Sequence, residues 1–123
     1  MPNVFEGDWD SKRNNVPDHN YNLSLSGTDL IIEYPQGSGK HFPVQFNSTT
    51  NPPRISFSVR DGGAFCIYTG ELIAERDPRQ SGCRIFGFTR GRFVVFNLTE
   101  SAKGTDPEIS DSGDWTSTRP PIT

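Results

Sequence analysis

The chain has 123 residues and a net charge of −3, enough for one core but not two, and without the basic excess of a duplex nucleic-acid binder. Only 32 % of residues are hydrophobic, a shortfall partly offset by nine Phe, three Tyr and two Trp, while 12 Gly and 10 Pro spread along the chain exclude long helices. No apolar run approaches the roughly 20 residues of a membrane span.

The first residues, Met1 to Trp9, show neither the basic start nor the apolar centre of a leader peptide. The expected compartment is therefore cytoplasmic if the chain is complete, and secreted if a leader was removed. Period-two alternation then recurs. Tyr21, Leu23 and Leu25 alternate with Asn22, Ser24 and Ser26. After Ser26-Gly27-Thr28, Leu30, Ile32 and Tyr34 repeat the pattern. Residues 35–40 read as a loop. Phe42, Val44 and Phe46 follow, then a break at Asn51-Pro52-Pro53, then Ile55, Phe57 and Val59. Each run predicts a half-buried strand.

Asp61-Gly62-Gly63 predicts a tight hairpin into a long strand, Ala64 to Glu75. After a turn at 76–82, Cys83 to Thr89 and Gly91 to Thr99 read as two strands meeting at Arg90-Gly91. Residues 101–113 read as a polar loop, and Asp114 to Ile122 as the last strand. The whole of 1–123 then forms a single all-β domain: an antiparallel up-and-down β-barrel of about eight strands, with a β-sandwich as the alternative.

One phrase recurs near both ends. Gly7-Asp8-Trp9 opens the first strand and Gly113-Asp114-Trp115 opens the last, which ends at Arg119. An indole can plug one end of a barrel while a guanidinium stacks on its face and bonds to carbonyls. Trp9 and Arg119 are thus assigned to barrel closure and expected to touch.

Several segments resemble the calycins and, within them, the avidin and streptavidin family. Phe5-Glu6-Gly7-Asp8-Trp9 is similar to that family's first strand, and Leu30 to Tyr34 to the strand carrying its ligand-contacting Tyr. Tyr68-Thr69-Gly70-Glu71, Phe93 to Ser101 and Asp114 to Arg119 resemble three later strands, in the right order and over nearly the whole chain. The resemblance implies a pocket at the barrel end opposite the Trp9–Arg119 plug, with Ser11, Tyr34, Phe57, Tyr68, Phe96 and Trp115 as ligand-binding residues. It also departs from the family. Tyr68 and Phe96 stand where the family has Trp, Ser11 where it has Asn, and Cys66 and Ala64 where it has hydroxyl residues. Each missing bond to a buried polar ligand group costs about 1–3 kcal/mol, so high-affinity biotin binding is not expected.

Other motifs carry less. Gly37-Ser38-Gly39-Lys40 lacks the spacing and following helix of a phosphate loop. His19 and His41 form no metal-ligand pair, so neither a metal nor a cofactor is expected. Cys66 and Cys83 give no zinc spacing and are read as thiols. Arg76, Arg79, Arg84, Arg90 and Arg92 precede an acidic group, Glu100, Asp106, Glu108, Asp111 and Asp114. That pattern suits either a solvated surface or electrostatic self-association.

The expected function is therefore a non-enzymatic, calycin-like barrel that holds a small, largely hydrophobic molecule in its interior. One alternative is a small barrel enzyme of cyclase or isomerase type, with Tyr34 or Glu71 as acid or base. Another is a carbohydrate-binding or protein-interaction module. A homo-oligomer, dimer or tetramer, is expected because Phe86 and Phe88 alternate with Ile85 and Gly87, leaving a strand apolar on both faces. Neither nucleic acid nor membrane is expected as a partner.

Overall fold

The computed structural model describes residues 5–76, 85–97 and 108–119. Among these there is no helix. Nine strands occur: β1 (Gly7–Arg13), β2 (Val16–Pro17), β3 (Tyr21–Ser26), β4 (Asp29–Glu33), β5 (His41–Asn47), β6 (Arg54–Asp61), β7 (Ala64–Arg76), β8 (Ile85–Asn97) and β9 (Glu108–Thr118). Each of β3 to β8 pairs antiparallel with the next, and β1 pairs with both β3 and β9. The eight long strands thus close into an up-and-down barrel with no free edge, and β2 is an extra strand on β1.

Alternation sets the inside. Trp9, Ser11, Tyr21, Leu23, Leu30, Ile32, Val44, Ile55, Phe57, Val59, Tyr68, Leu72, Phe93 and Trp115 are buried, and their sequence neighbours are mostly half-buried or exposed. Two-residue turns at Gly27-Thr28 and Gly62-Gly63 join β3 to β4 and β6 to β7, each with its first glycine at positive φ, as such hairpins require.

Three expectations are corrected here. Cys83–Thr89 and Gly91–Thr99 are not two strands meeting at Arg90-Gly91. β8 runs unbroken from Ile85 to Asn97, because Arg90 and Gly91 find ladder partners in Glu71 and Gly70. The polar loop at 101–113 ends earlier than expected, since β9 begins at Glu108; residues 101–107 lie outside the described set. Residues 109–112 are exposed on both faces, so they pair along β8 beyond the barrel core and need no alternation. The last strand ends at Thr118 rather than Ile122, and Pro120 to Thr123 are also outside the described residues.

β2 is the departure that matters for function. β3 pairs with β1 only from Gly7 to Trp9. Above that point β1 would have a bare edge, and the chain itself covers it. Asn14 and Asn15 both take left-handed φ (49° and 64°), forming a two-residue turn that folds Val16 back onto Arg13 and Pro17 onto Lys12. The Asp18 amide then donates to the Ser11 carbonyl at 2.9 Å. This seam brings Asp18 to the barrel mouth.

Candidate functional site

The two barrel ends differ. At the end where β1 starts, the Trp9 indole is fully buried and donates to the Phe5 carbonyl at 2.9 Å. The Arg119 guanidinium lies 5.6 Å from the Trp9 ring centre, within cation–π reach, and its Nη1 donates to the Glu6 carbonyl at 2.6 Å. Tyr21 stacks parallel to Trp9, with ring centres 6.1 Å apart. Gly87 makes room for the indole: a Cβ there would come within 3.1 Å of its ring.

Above this plug Tyr21, Thr89 and Ser117 turn three buried hydroxyls toward mid-barrel. None meets hydrogen-bond geometry, yet Thr89 and Ser117 stand close enough to oppose part of the burial that raises the Tyr21 phenol pKa.

The mouth half is aromatic. Phe57 stacks on Tyr68 (4.8 Å, 15°), and Trp115 meets Phe57 and Tyr68 edge-on at 5.5 and 5.2 Å. Tyr34 lies 5.7 Å from Tyr68 and 6.3 Å from Phe57. The Trp115 indole donates to the Ser11 hydroxyl at 2.9 Å. Five of the six expected ligand residues, Ser11, Tyr34, Phe57, Tyr68 and Trp115, are therefore brought together. Phe96 is not among them. It stands opposite Phe65, half-buried, at a register shift in β8–β9, and Phe93 is the β8 ring that reaches Tyr68, at 6.3 Å.

Sequence reasoning missed two residues here, Arg13 and Asp18. The Asp18 carboxylate is 4 % exposed. Its Oδ2 accepts from Tyr34 at 2.7 Å and Tyr68 at 3.3 Å, and lies 3.0 Å from Arg13 Nε. The two phenol oxygens are 3.0 Å apart. Arg13 also lies over the Phe93 ring, 5.2 Å from its centre. The signal that would have found this pair is Arg13-Asn14-Asn15-Val16: two residues tolerant of left-handed φ between strand-like positions predict a tight return, which carries Asp18 back beside Arg13.

Electrostatics follow the geometry. Burial raises the pKa of both Tyr34 and Tyr68, and Asp18 adds to the shift in each. Burial lowers the Arg13 pKa, but Tyr68, Asp18 and Tyr34 outweigh it, and the net shift is upward. Phenols held protonated this way remain neutral hydrogen-bond donors well into alkaline pH. Glu71, the other acid or base considered, sits on the outward face between Arg54 and Arg90 in the ladder, away from this cluster.

The outer wall is also shaped. An open groove of about 1110 Å³ crosses the outward face of β5–β9, lined among others by Gln45, Arg54, Glu71, Arg90, Arg92 and Asp114. Of the arginine and acid clusters, Arg79, Arg84, Glu100 and Asp106 lie outside the described residues, as does Cys83; Cys66 is buried on β7. His19 and His41 are exposed. Among the described residues no group of three His, Cys, Asp or Glu is placed to hold a metal ion. No protein-family model, curated protein or solved structure matches this chain.

Proposed function

We propose that the chain is a non-enzymatic binding protein of calycin type that holds a small, flat, largely apolar molecule in the mouth half of its barrel. The observation that carries this reading is the joining of four aromatic rings, Tyr34, Phe57, Tyr68 and Trp115, to hydrogen-bonding and charged groups at one end of a closed barrel. A core built for stability alone would fill that space with aliphatic groups, since buried phenols and carboxylates must each be partnered. The rings touch one another, so the ligand enters by parting them from the mouth. An outward Glu71, away from the ring cluster, supports binding over acid–base turnover.

The avidin-like part of the reading stops at architecture and position. The Ser11 hydroxyl is engaged with Trp115, and the Tyr34 hydroxyl with Asp18. Biotin would have to break both bonds to be recognised, so weak or absent biotin binding is expected by calorimetry; nanomolar affinity would overturn this.

The chain has two tryptophans, so Trp9→Phe leaves Trp115 as a single reporter inside the proposed site. A saturable change in its emission on adding small aromatics such as benzamide supports the reading. Absence of any saturable change across neutral and charged aromatics overturns it.

A second reading, self-association, has its own observation. Across β7 and β8 the outward pairs Phe65–Phe96, Ile67–Val94 and Ile73–Phe88 are half-buried and apolar, and between them lie Thr69–Arg92 and Glu71–Arg90. A face that is apolar at its ends and of mixed charge at its centre suits a second copy of itself. Light scattering at a mass above 13.7 kDa, reduced to one chain by Phe88→Glu, is the expected result.

A further inference from the structure

Asp18 reaches the barrel mouth on a short strap from Val16 to Asn20, whereas its partners belong to longer strands or their ends. Arg13 ends β1, Tyr34 follows β4 and Tyr68 lies within β7, and all three converge on one oxygen of Asp18. The segment that delivers this oxygen contributes two residues of ladder, one of them proline, with Val16 62 % exposed. The turn before it is pinned to β9, the Asn14 amide donating to the Asp114 carbonyl at 2.8 Å and Asn14 Oδ1 accepting from the Asp114 amide at 3.1 Å. Beyond Asn15 the segment is tied by the Asp18 amide to the Ser11 carbonyl, by the Asn20 carbonyl to the Gln36 amide and by His19 edge-on to the Tyr34 ring. The donors are thus preorganised and the acceptor is detachable. Phe57 and Trp115 both lie against the ring of Tyr68, whose hydroxyl donates to the carboxylate.

We propose that Arg13, Tyr34 and Tyr68 form a carboxylate seat that Asp18 occupies as an internal stand-in. The molecule this barrel takes is then a carboxylic acid with a flat apolar body, which displaces residues 16–20. This rests on the mouth-half reading given above and narrows it to a ligand class. The chemistry selects the acid. Withdrawing Asp18 leaves a cation and two phenol hydroxyls without their shared acceptor, in a site already largely screened from water. A neutral ligand leaves the charge unpaired. A carboxylate restores all three contacts, while the released Asp18 is hydrated outside. Because Asp18 competes for the seat, the wild-type protein binds such an acid more weakly than the bare seat would.

The test is chemical rescue of Asp18→Ala by formate and acetate, read by thermal melting of the full chain. The expected result is a lowered melting temperature that rises saturably with either anion. Chloride at equal ionic strength and acetamide should not raise it, and wild type should not respond in the same range. Adding Tyr34→Phe and Tyr68→Phe should abolish the rescue. Equal responses to formate and chloride, or equal responses in wild type and variant, overturn the seat.

Should Asp18→Ala not fold, Asp18→Asn keeps the side-chain shape. With Trp115 as reporter, benzoate should then bind Asp18→Asn about tenfold or more tighter than wild type, because the internal competitor is weakened. Equal affinities overturn the proposal. The two readings fail separately. A Trp115 response to benzamide with no carboxylate rescue keeps the pocket and removes the seat. Formate rescue with no Trp115 response to any aromatic keeps the seat and removes the pocket.

Discussion

Each end of the barrel is closed by an arginine lying on an aromatic ring, and the two closures are built from different partners. At the plug, Arg119 gives one bond to a backbone carbonyl, and burial lowers its pKa. Among the described residues its Nε and Nη2 have no acceptor. At the mouth, Arg13 meets the Asp18 carboxylate, and its net pKa shift is upward. The tryptophans repeat the contrast: Trp9 is tied to a main-chain carbonyl, Trp115 to the Ser11 side chain. The carbonyls at the plug belong to Phe5 and Glu6, which lead directly into β1, so exchanging them disturbs the first strand of the barrel. Side-chain partners on a short strap can be exchanged without that. The plug is therefore a fixed closure and the mouth an exchangeable one.

The largest expected effect tests the fixed end. Trp9→Ala should destabilise by about 3–5 kcal/mol, as other large buried aromatics do, with Arg119 left stacked on nothing. Denaturant unfolding measures it, and a loss under about 1 kcal/mol would mean that the plug does not close the barrel. Two glycines then compare the ends directly. A Cβ at Gly87 meets the Trp9 ring at 3.1 Å, whereas one at Gly70 meets the Arg90 carbonyl at 2.8 Å as well as Trp115 and Thr89 at 3.0 Å. A ring edge can give slightly and a paired strand cannot. Gly70→Ala should therefore cost more than Gly87→Ala, within the roughly 1–3 kcal/mol typical of overpacking.

The three tyrosines, Tyr21, Tyr34 and Tyr68, offer a test without mutation. All are buried and all have pKa values raised from 10.0, with burial the leading cause. A raised pKa means that the folded state favours the protonated phenol. The stabilisation is complete below pH 10.0, where the unfolded chain is protonated too, and is lost as pH rises toward the folded-state values. Phenolate absorbance should therefore appear above pH 10 in a single step that coincides with loss of the fold. An early phenolate signal from a still-folded protein would place a tyrosine at the mouth in contact with water, and would show that the exchangeable end is open rather than latched.

Much of the fold is visible in the sequence because one face of most strands is wet. Tyr21-Asn22-Leu23 and Ile55-Ser56-Phe57 fix parity, and parity fixes the inside. Alternation disappears where strands leave the core. Ile109 to Ser112 have no buried face, so nothing in their order marks a strand. At Phe96 motif matching and parity disagree: Phe93 shares a face with Val95, and the register shift lies just beyond. The mouth was hidden for another reason. Arg13 and Asp18 are charged residues flanking a turn, a pattern that usually belongs to solvent; Arg13 shares the face of Trp9 and Ser11, and the hairpin at Asn14-Asn15 returns Asp18 to it.

The smallest effects come from ion pairs, and they sharpen the same comparison. Arg13–Asp18 and Arg92–Asp114 have similar separations, 3.0 and 3.3 Å. Their surroundings differ: the side chains are 30 % and 4 % exposed in the first pair, and 71 % and 78 % in the second. Arg13→Met removes the cation from a carboxylate that water barely reaches. It should cost about 1–3 kcal/mol, much of it the penalty of leaving Asp18 uncompensated. Salt should change that cost little, since no mobile ion can take the place of the guanidinium. Asp114→Asn breaks a pair already shared with solvent. It should cost about 0–1 kcal/mol, shrinking further as ionic strength rises. The salt dependence is the more informative reading, because it reports solvent access rather than contact distance. If Arg13→Met were as mild and as salt-sensitive as Asp114→Asn, the Asp18 carboxylate would already be hydrated. The mouth would then hold no latch for a ligand to displace. If the two variants differ as described, equal-looking ion pairs a few strands apart are doing different things, one holding a seat and the other decorating a wall.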